Sequence, residues 1–188
     1  MKKVLVMLAE GFEEIEAISV VDVLRRANII CDMCSINKEY VKGTHNILIK
    51  ADCCIDDINA KEYDAIVLPG GLPGATNLKD KRVKSFVEEL NEDKKIVAAI
   101  CAAPETLEEF GVLKGKKCTS YPGFIKNRES VTYIEDVVVR DENIITSRGP
   151  ATAIEFSIEL VKALGYEEEA KDIKEGMMVN FYNKISRI

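Results

Sequence analysis

Histidine is nearly missing from this chain: its 188 residues hold one, His45. A structural zinc site wants four converging Cys or His ligands, so no metal and no other cofactor is expected. Long apolar runs are missing too. Nothing approaches the roughly 20 residues of a membrane helix, so a membrane is not expected as a partner. The opening MKKVLVMLAEGFEE has two lysines before an apolar run, but Glu10 interrupts it and no small-residue cleavage site follows. It reads as a first β-strand, and the protein as cytoplasmic. A clustered basic face is also lacking. The net charge is −6, the pI is about 5.1 and the lysines are scattered, which argues against nucleic acid. There is no Gly-Lys-Ser/Thr and no G-x-G-x-x-G, hence no phosphate loop. No repeat, low-complexity tract or linker is visible, and the length suits one domain over 1–188.

What is present is an ordinary globular balance, 47% hydrophobic and 31% charged. The six cysteines are expected to be reduced in the absence of a secretory signal. Cys31 and Cys34 form a C-x-x-C inside IICDMCSI. That segment reads as a strand, where residues three apart point to opposite faces, so a thioredoxin-type pair is not expected. Cys53 and Cys54 are adjacent and also point apart.

The pattern along the chain alternates. KKVLVMLA reads as a buried strand. Glu13 to Ala27 has helical spacing through Ile15, Ile18, Val21 and Leu24, with Asn28 as its stop. IICDMCSI is a second strand, followed by a short strand at Asn46 to Lys50 and a turn at Asp56-Asp57. DAIVLPGG is a strand ended by Pro69 and two glycines. Residues 80–92 are helical, KIVAAIC is a strand, and Ala102 to Phe110 continues as a helix. Lys117 to Ser120 is a short strand. Strands at Val131 to Arg140 and Asn143 to Ser147 flank a turn at Asp141-Glu142. A helix runs from Gly149-Pro150 to Leu164 with Gly165 as its stop, and one more begins at Glu167. This order predicts an α/β fold: a doubly wound, mostly parallel sheet with helices on both faces.

Ligands of such sheets bind beyond the carboxyl ends of the strands. Three loops meet that condition: Glu10 to Glu16, Pro69 to Gly74, and the turn at Cys101. Cys101 ends a strand near a helix N-terminus, where the dipole and free N–H groups favour a thiolate. The small Ala102 and Ala103 leave room for a substrate. Gly70 and Gly71, with the N–H of Ala102, could hold a developing oxyanion. Glu13 and Glu14 suit a helix start. Glu16 shares a face with Glu13, while Glu14 looks elsewhere. Partly desolvated beside Cys101, Glu16 would have a raised pKa and could act as acid or base. Tyr121 follows a short strand and could reach the same crevice. Arg148 reads as an anchor between strand and helix.

The segments AEGFEEIEA, VDVLRRANI, VLPGGLPGATNL, AAICAAP and TSRGPAT occur in an order and spacing that resemble the ThiJ/PfpI superfamily, which is class I glutamine amidotransferase-like. The parkinsonism-associated deglycase branch is the most similar. The resemblance spans nearly the whole chain. It implies a flavodoxin-like three-layer sandwich that forms a homodimer. It also implies Cys101 as reactive cysteine, Glu16 as its carboxylate partner, and Gly70, Gly71 and Ala102 as backbone donors. The activities it implies are cofactor-free glyoxalase and deglycase action on methylglyoxal, glyoxal or early glycation adducts. The alternative is an oxidative-stress sensor or chaperone with little turnover. One departure matters: related glyoxalases carry a histidine in a Thr-His-Pro context where this chain has Tyr121. Peptidase members carry one directly after the cysteine, where this chain has Ala102, so a Cys-His peptidase is disfavoured.

Overall fold

The computed structural model describes residues 1–185. Strand β1 (Lys3–Leu8) is buried at every position after Lys3, as its unbroken apolar run demands of a strand covered on both faces. Val4, Val6 and Leu8 point into one layer, and Leu5 and Met7 into the other. Helix α1 (Glu14–Arg26) follows and ends where Asn28 takes φ +55°, a left-handed conformation asparagine tolerates. Next comes β2 (Ile30–Ser35), then a hairpin of β3 (Tyr40–Lys42) and β4 (Leu48–Lys50). The two-residue β5 (Cys53–Cys54) leads to β6 (Ala65–Leu68). A short helix α2 (Gly74–Asn77), the amphipathic α3 (Lys81–Glu92), β7 (Ile96–Ile100) and α4 (Pro104–Glu109) come next. Four strands then precede the last helices: β8 (Lys117–Cys118), β9 (Thr132–Tyr133), β10 (Val138–Asp141) and β11 (Ile144–Ser147). The helices are α5 (Ala153–Ala163), α6 (Glu167–Gly176) and α7 (Val179–Ile185).

The main sheet has the order β10-β11-β7-β6-β1-β2-β5. Every pair is parallel except β10 with β11. Helices α1, α5 and α6 bury their apolar stripes on one face, and α3 and α4 on the other. Each fully buried aliphatic side chain contributes about 1.5–3 kcal/mol, so both layers hold the sheet. From β1 the chain steps to β2 on one side and returns to β6 on the other. That reversal opens a crevice at the carboxyl ends of β1 and β6, with β7 alongside.

Four expected elements come out differently. The strand expected over Val131 to Arg140 is two: β9 pairs with β8 in a separate small sheet, β10 joins the main one, and the polar Glu135-Asp136 lies between. The lone strand expected at Asn46 to Lys50 is the second half of a hairpin, whose turn uses Asn46 at φ +67°. The helix expected from Ala102 begins at Pro104, because Cys101 to Ala103 form the turn. The terminal helix breaks at Met178, with φ +63°. Its expected continuation past residue 185 lies outside the described residues. None of the helices among the described residues is long and apolar enough to cross a membrane.

Candidate active site

Cys101 leaves β7 with φ +63°, a conformation costing a non-glycine residue roughly 1–2 kcal/mol. Two hydrogen bonds fix it there. Its N–H donates to the Ser147 carbonyl (3.0 Å), and its carbonyl accepts the Tyr121 N–H (2.8 Å). The strained turn lifts the half-buried thiol out of the sheet toward the crevice, where the N–H groups of Ala102 and Gly71 reach it.

Glu16 comes to the same place from the first turn of α1 and is fully buried. Its Oε2 accepts the Gly70 N–H at 2.7 Å. Its Oε1 is buried with no hydrogen-bond partner, and the Cys101 thiol is the side chain beside the carboxyl group. Burial, with the Glu13 charge added, raises the Glu16 pKa to about 7 against the pull of Gly70 and Cys101. The same burial and the Glu16 charge push the Cys101 thiol up to about 12, although the Ala102 and Gly71 N–H groups favour the thiolate. This corrects the expectation of a thiol made acidic by a helix start. The helix begins three residues further on, and a carboxylate, not a cation, is the nearest charge. Near neutral pH the sulfur therefore keeps its proton while Glu16 exchanges its own.

Gly70 also takes another role. Its N–H is spent on Glu16 and is withdrawn from the expected oxyanion cradle, leaving Gly71 and Ala102 as the donors. Its missing side chain is what matters. A Cβ there would stand 2.8 Å from Cys101 Cβ, 2.8 Å from Glu16 Oε2 and 3.0 Å from Ala102 N. Gly71, at φ +86°, lets the turn after β6 touch the turn after β1, where a Cβ would stand 2.4 Å from Glu13 N. Tyr121 meets Cys101 through its main chain. Its half-exposed ring packs edge-on against Phe124 at 6.1 Å. Arg148 pairs with Glu135 at 3.6 Å, in keeping with an anchor.

The sequence reading missed a clamp. Glu13 caps α1, its Oε2 accepting the Glu16 N–H (2.9 Å). Glu14 turns the other way and is bound by the β3–β4 hairpin: Oε1 accepts the His45 N–H (2.7 Å) and Oε2 meets His45 Nδ1 (2.8 Å). Burial works to raise the Glu14 pKa, but the bonds from His45 and Ile47 overcome it and leave it lowered. Gly43 carries no side chain because the Glu14 carboxyl fills that space, 2.3 Å from where a Cβ would sit. The lone histidine thus braces the helix that carries Glu16. A buried glutamate beside a helix cap was the available signal, but its partner lies 31 residues away.

The fold and the site together define a doubly wound α/β protein with a cysteine and a glutamate facing each other at the switch-point crevice. The chain belongs to the DJ-1/PfpI family, which matches residues 2–163. It is 40% identical over 177 residues to Protein DJ-1 homolog A of Arabidopsis thaliana, covering 92% of this chain and 45% of that relative, so the chain spans less than half of that protein's length. It is 35% identical over 165 residues to Deglycase PfpI of Pyrococcus furiosus, covering 86% of this chain and 99% of that one. Among solved structures, oxidized DJ-1 of Toxoplasma gondii superposes with a TM-score of 0.90 at 36% identity, over 95% of this chain and 98% of that one.

Proposed function

We propose that this protein is a cofactor-free glyoxalase or deglycase-type enzyme acting on methylglyoxal, glyoxal or their early adducts. The observation that carries the reading is Glu16. Its buried carboxyl, with one oxygen free of donors, stands against Cys101 while the Gly71 and Ala102 N–H groups approach the sulfur. Family membership and a relative named as a deglycase support it.

The single proton of the pair gives the sequence of steps. Glu16 takes the thiol proton as the Cys101 sulfur attacks the aldehyde carbon. The carbonyl oxygen becomes an oxyanion held by Gly71 and Ala102 and takes the Glu16 proton, giving a hemithioacetal. Glu16, now a carboxylate with pKa near neutrality, removes the proton from the former aldehyde carbon and returns it to the neighbouring carbon, while the proton of the hemithioacetal hydroxyl passes to the ketone oxygen. The product is a 2-hydroxy thioester. Water cleaves it, releasing lactate from methylglyoxal and restoring the thiol. Tyr121, bonded to the Cys101 carbonyl through its N–H, is assigned to substrate binding. The test is methylglyoxal consumption and lactate formation by reduced wild type and Cys101→Ser. Turnover by wild type alone is expected, and no lactate from fully reduced wild type overturns the reading.

The donor-free Glu16 Oε1 also favours a second use of the site. Two equivalents of peroxide would convert Cys101 to a sulfinate, which protonated Glu16 can bond. A gain of two oxygens confined to Cys101 under mild peroxide supports this sensor reading, and oxidation spread over all six cysteines overturns it. We place the protein in the cytoplasm, as a homodimer of a single domain.

A further inference from the structure

Five of the six cysteines lie outside the Cys101 site, and the sheet brings two of them together. Cys34 in β2 and Cys53 in β5 are register partners in a parallel pair. In-register residues on neighbouring strands point to one side and stand about 4.8 Å apart, inside the range of roughly 4.4–6.8 Å between Cα atoms that a disulfide spans. Cys34 is part of the core layer on that side, and Cys53 packs against the same layer. The Cys34 Sγ hydrogen is turned to the Ser35 carbonyl at 3.6 Å. The other cysteines stand apart from this pair. Cys31 belongs to the opposite layer, Cys54 turns its Sγ to the Ile36 carbonyl at 3.6 Å, and Cys118 lies on β8 in a different sheet.

The two thiols differ in access. Cys34 is fully buried. Cys53 is half-buried and, with Cys54, Ser35, Lys38, Glu39 and Asp57, lines an open cavity of about 350 Å³ at the sheet edge. A small oxidant reaches Cys53 first. Burial raises both thiols. Access therefore assigns Cys53 as the attacking sulfur and the fully buried Cys34 as the resolving one. Strand β5 is a two-residue edge strand with β2 as its one neighbour in the sheet, so it can adjust to a covalent link.

We propose that Cys34 and Cys53 form a second redox site, which a hydroperoxide converts to a reversible disulfide independently of Cys101. The Cys53 sulfur attacks one peroxide oxygen, the O–O bond breaks, and the departing oxygen takes up the thiol proton. This leaves a sulfenic acid. The Cys34 sulfur then attacks the Cys53 sulfur, the S–O bond breaks, and hydroxide leaves with the Cys34 proton as water. One peroxide is reduced and two thiols are oxidised. Hydrogen peroxide gives two waters.

The test treats the Cys101→Ser chain with hydrogen peroxide at alkaline pH, then alkylates and maps it. Expected are a loss of roughly 2 Da, a cross-linked peptide joining residues 34 and 53, and its reversal by dithiothreitol. In Cys34→Ser or Cys34→Ala, Cys53 is expected to gain oxygen instead. Differential alkylation of the unsubstituted chain reads the same bond without touching the core. The proposal is overturned if both cysteines stay alkylatable once Cys101 of the wild type is fully oxidised. It is equally overturned if Cys53 of the unsubstituted chain gains oxygen while Cys34 stays free. Neither result bears on turnover at Cys101.

Discussion

Glu16 is expensive for the fold to keep. A carboxyl with a folded pKa of about 7 binds its proton more tightly folded than unfolded, so it favours folding most at low pH. That stability is lost as pH rises from the ordinary carboxylate range through about 7, over which the unfolded chain has already released the proton. The difference from the ordinary value of 4.5 corresponds to about 3 kcal/mol at pH 8. Glu16→Gln keeps the acceptor for the Gly70 N–H and removes the ionisation. It should stabilise the protein by up to about 3 kcal/mol at pH 8 and by much less at pH 5, while abolishing aldehyde turnover. Denaturant titrations at the two pH values check this, and equal effects at both would show that Glu16 ionises normally. Gly70→Ala tests the close approach instead. A methyl group 2.8 Å from both Cys101 Cβ and Glu16 Oε2 must push the pair apart, at about 1–3 kcal/mol. Cys101 alkylation by iodoacetamide should change in rate together with turnover. Position after a strand made Cys101 and Glu16 candidates from sequence, the family resemblance paired them, and the fold brings the two side chains together. Position could not show that the Gly70 N–H is spent on Glu16, because that bond joins residues 54 apart.

Strand and helix patterning made the alternating elements legible, since β1, β6 and β7 are apolar at nearly every position and α1 and α3 carry 3.6-residue stripes. The β3–β4 hairpin was only half legible because its two strands are three residues each and face partly outward. What fixes it is tertiary: Glu14 of α1 holds His45 and Ile47 from below. Glu14→Ala removes the acceptor for two main-chain N–H groups and should cost about 1–3 kcal/mol. The loss should be local, with amide exchange at His45 and Ile47 accelerating well before that of β1. Uniform acceleration across the sheet would contradict the clamp. Because Glu14 and Glu16 share the first turn of α1, the same variant should lower kcat for aldehyde turnover without removing it. The break in residues 131–140 escaped the sequence reading for a similar reason. β9 and β10 are each apolar enough for a strand, and it is their different partners, β8 and β11, that separate them.

On the scale of the whole molecule, the clamped hairpin leaves an apolar surface that neither core layer covers. Ile15, Ile47 and Leu48 are each more than half exposed. The segments that carry them are joined because Glu14, the neighbour of Ile15, binds the His45 and Ile47 N–H groups. A second copy of the chain covering this patch would bury Ile15 on α1 within one residue of Glu14 and Glu16, and so would stiffen the carboxylate that faces Cys101. The net charge of −6 opposes self-association, so burial of these side chains, at about 25 cal/mol per Å², has to provide the drive. If the proposed homodimer uses this patch, the protein sediments as a dimer at micromolar concentration, with a Tm that rises with protein concentration. Ile47→Asp with Leu48→Asp should yield a monomer of unchanged far-ultraviolet circular dichroism, because both side chains lie outside the core. Its turnover should fall while Cys101 remains alkylatable. A wild-type monomer at that concentration, or a double variant that stays dimeric, would remove this patch as the contact.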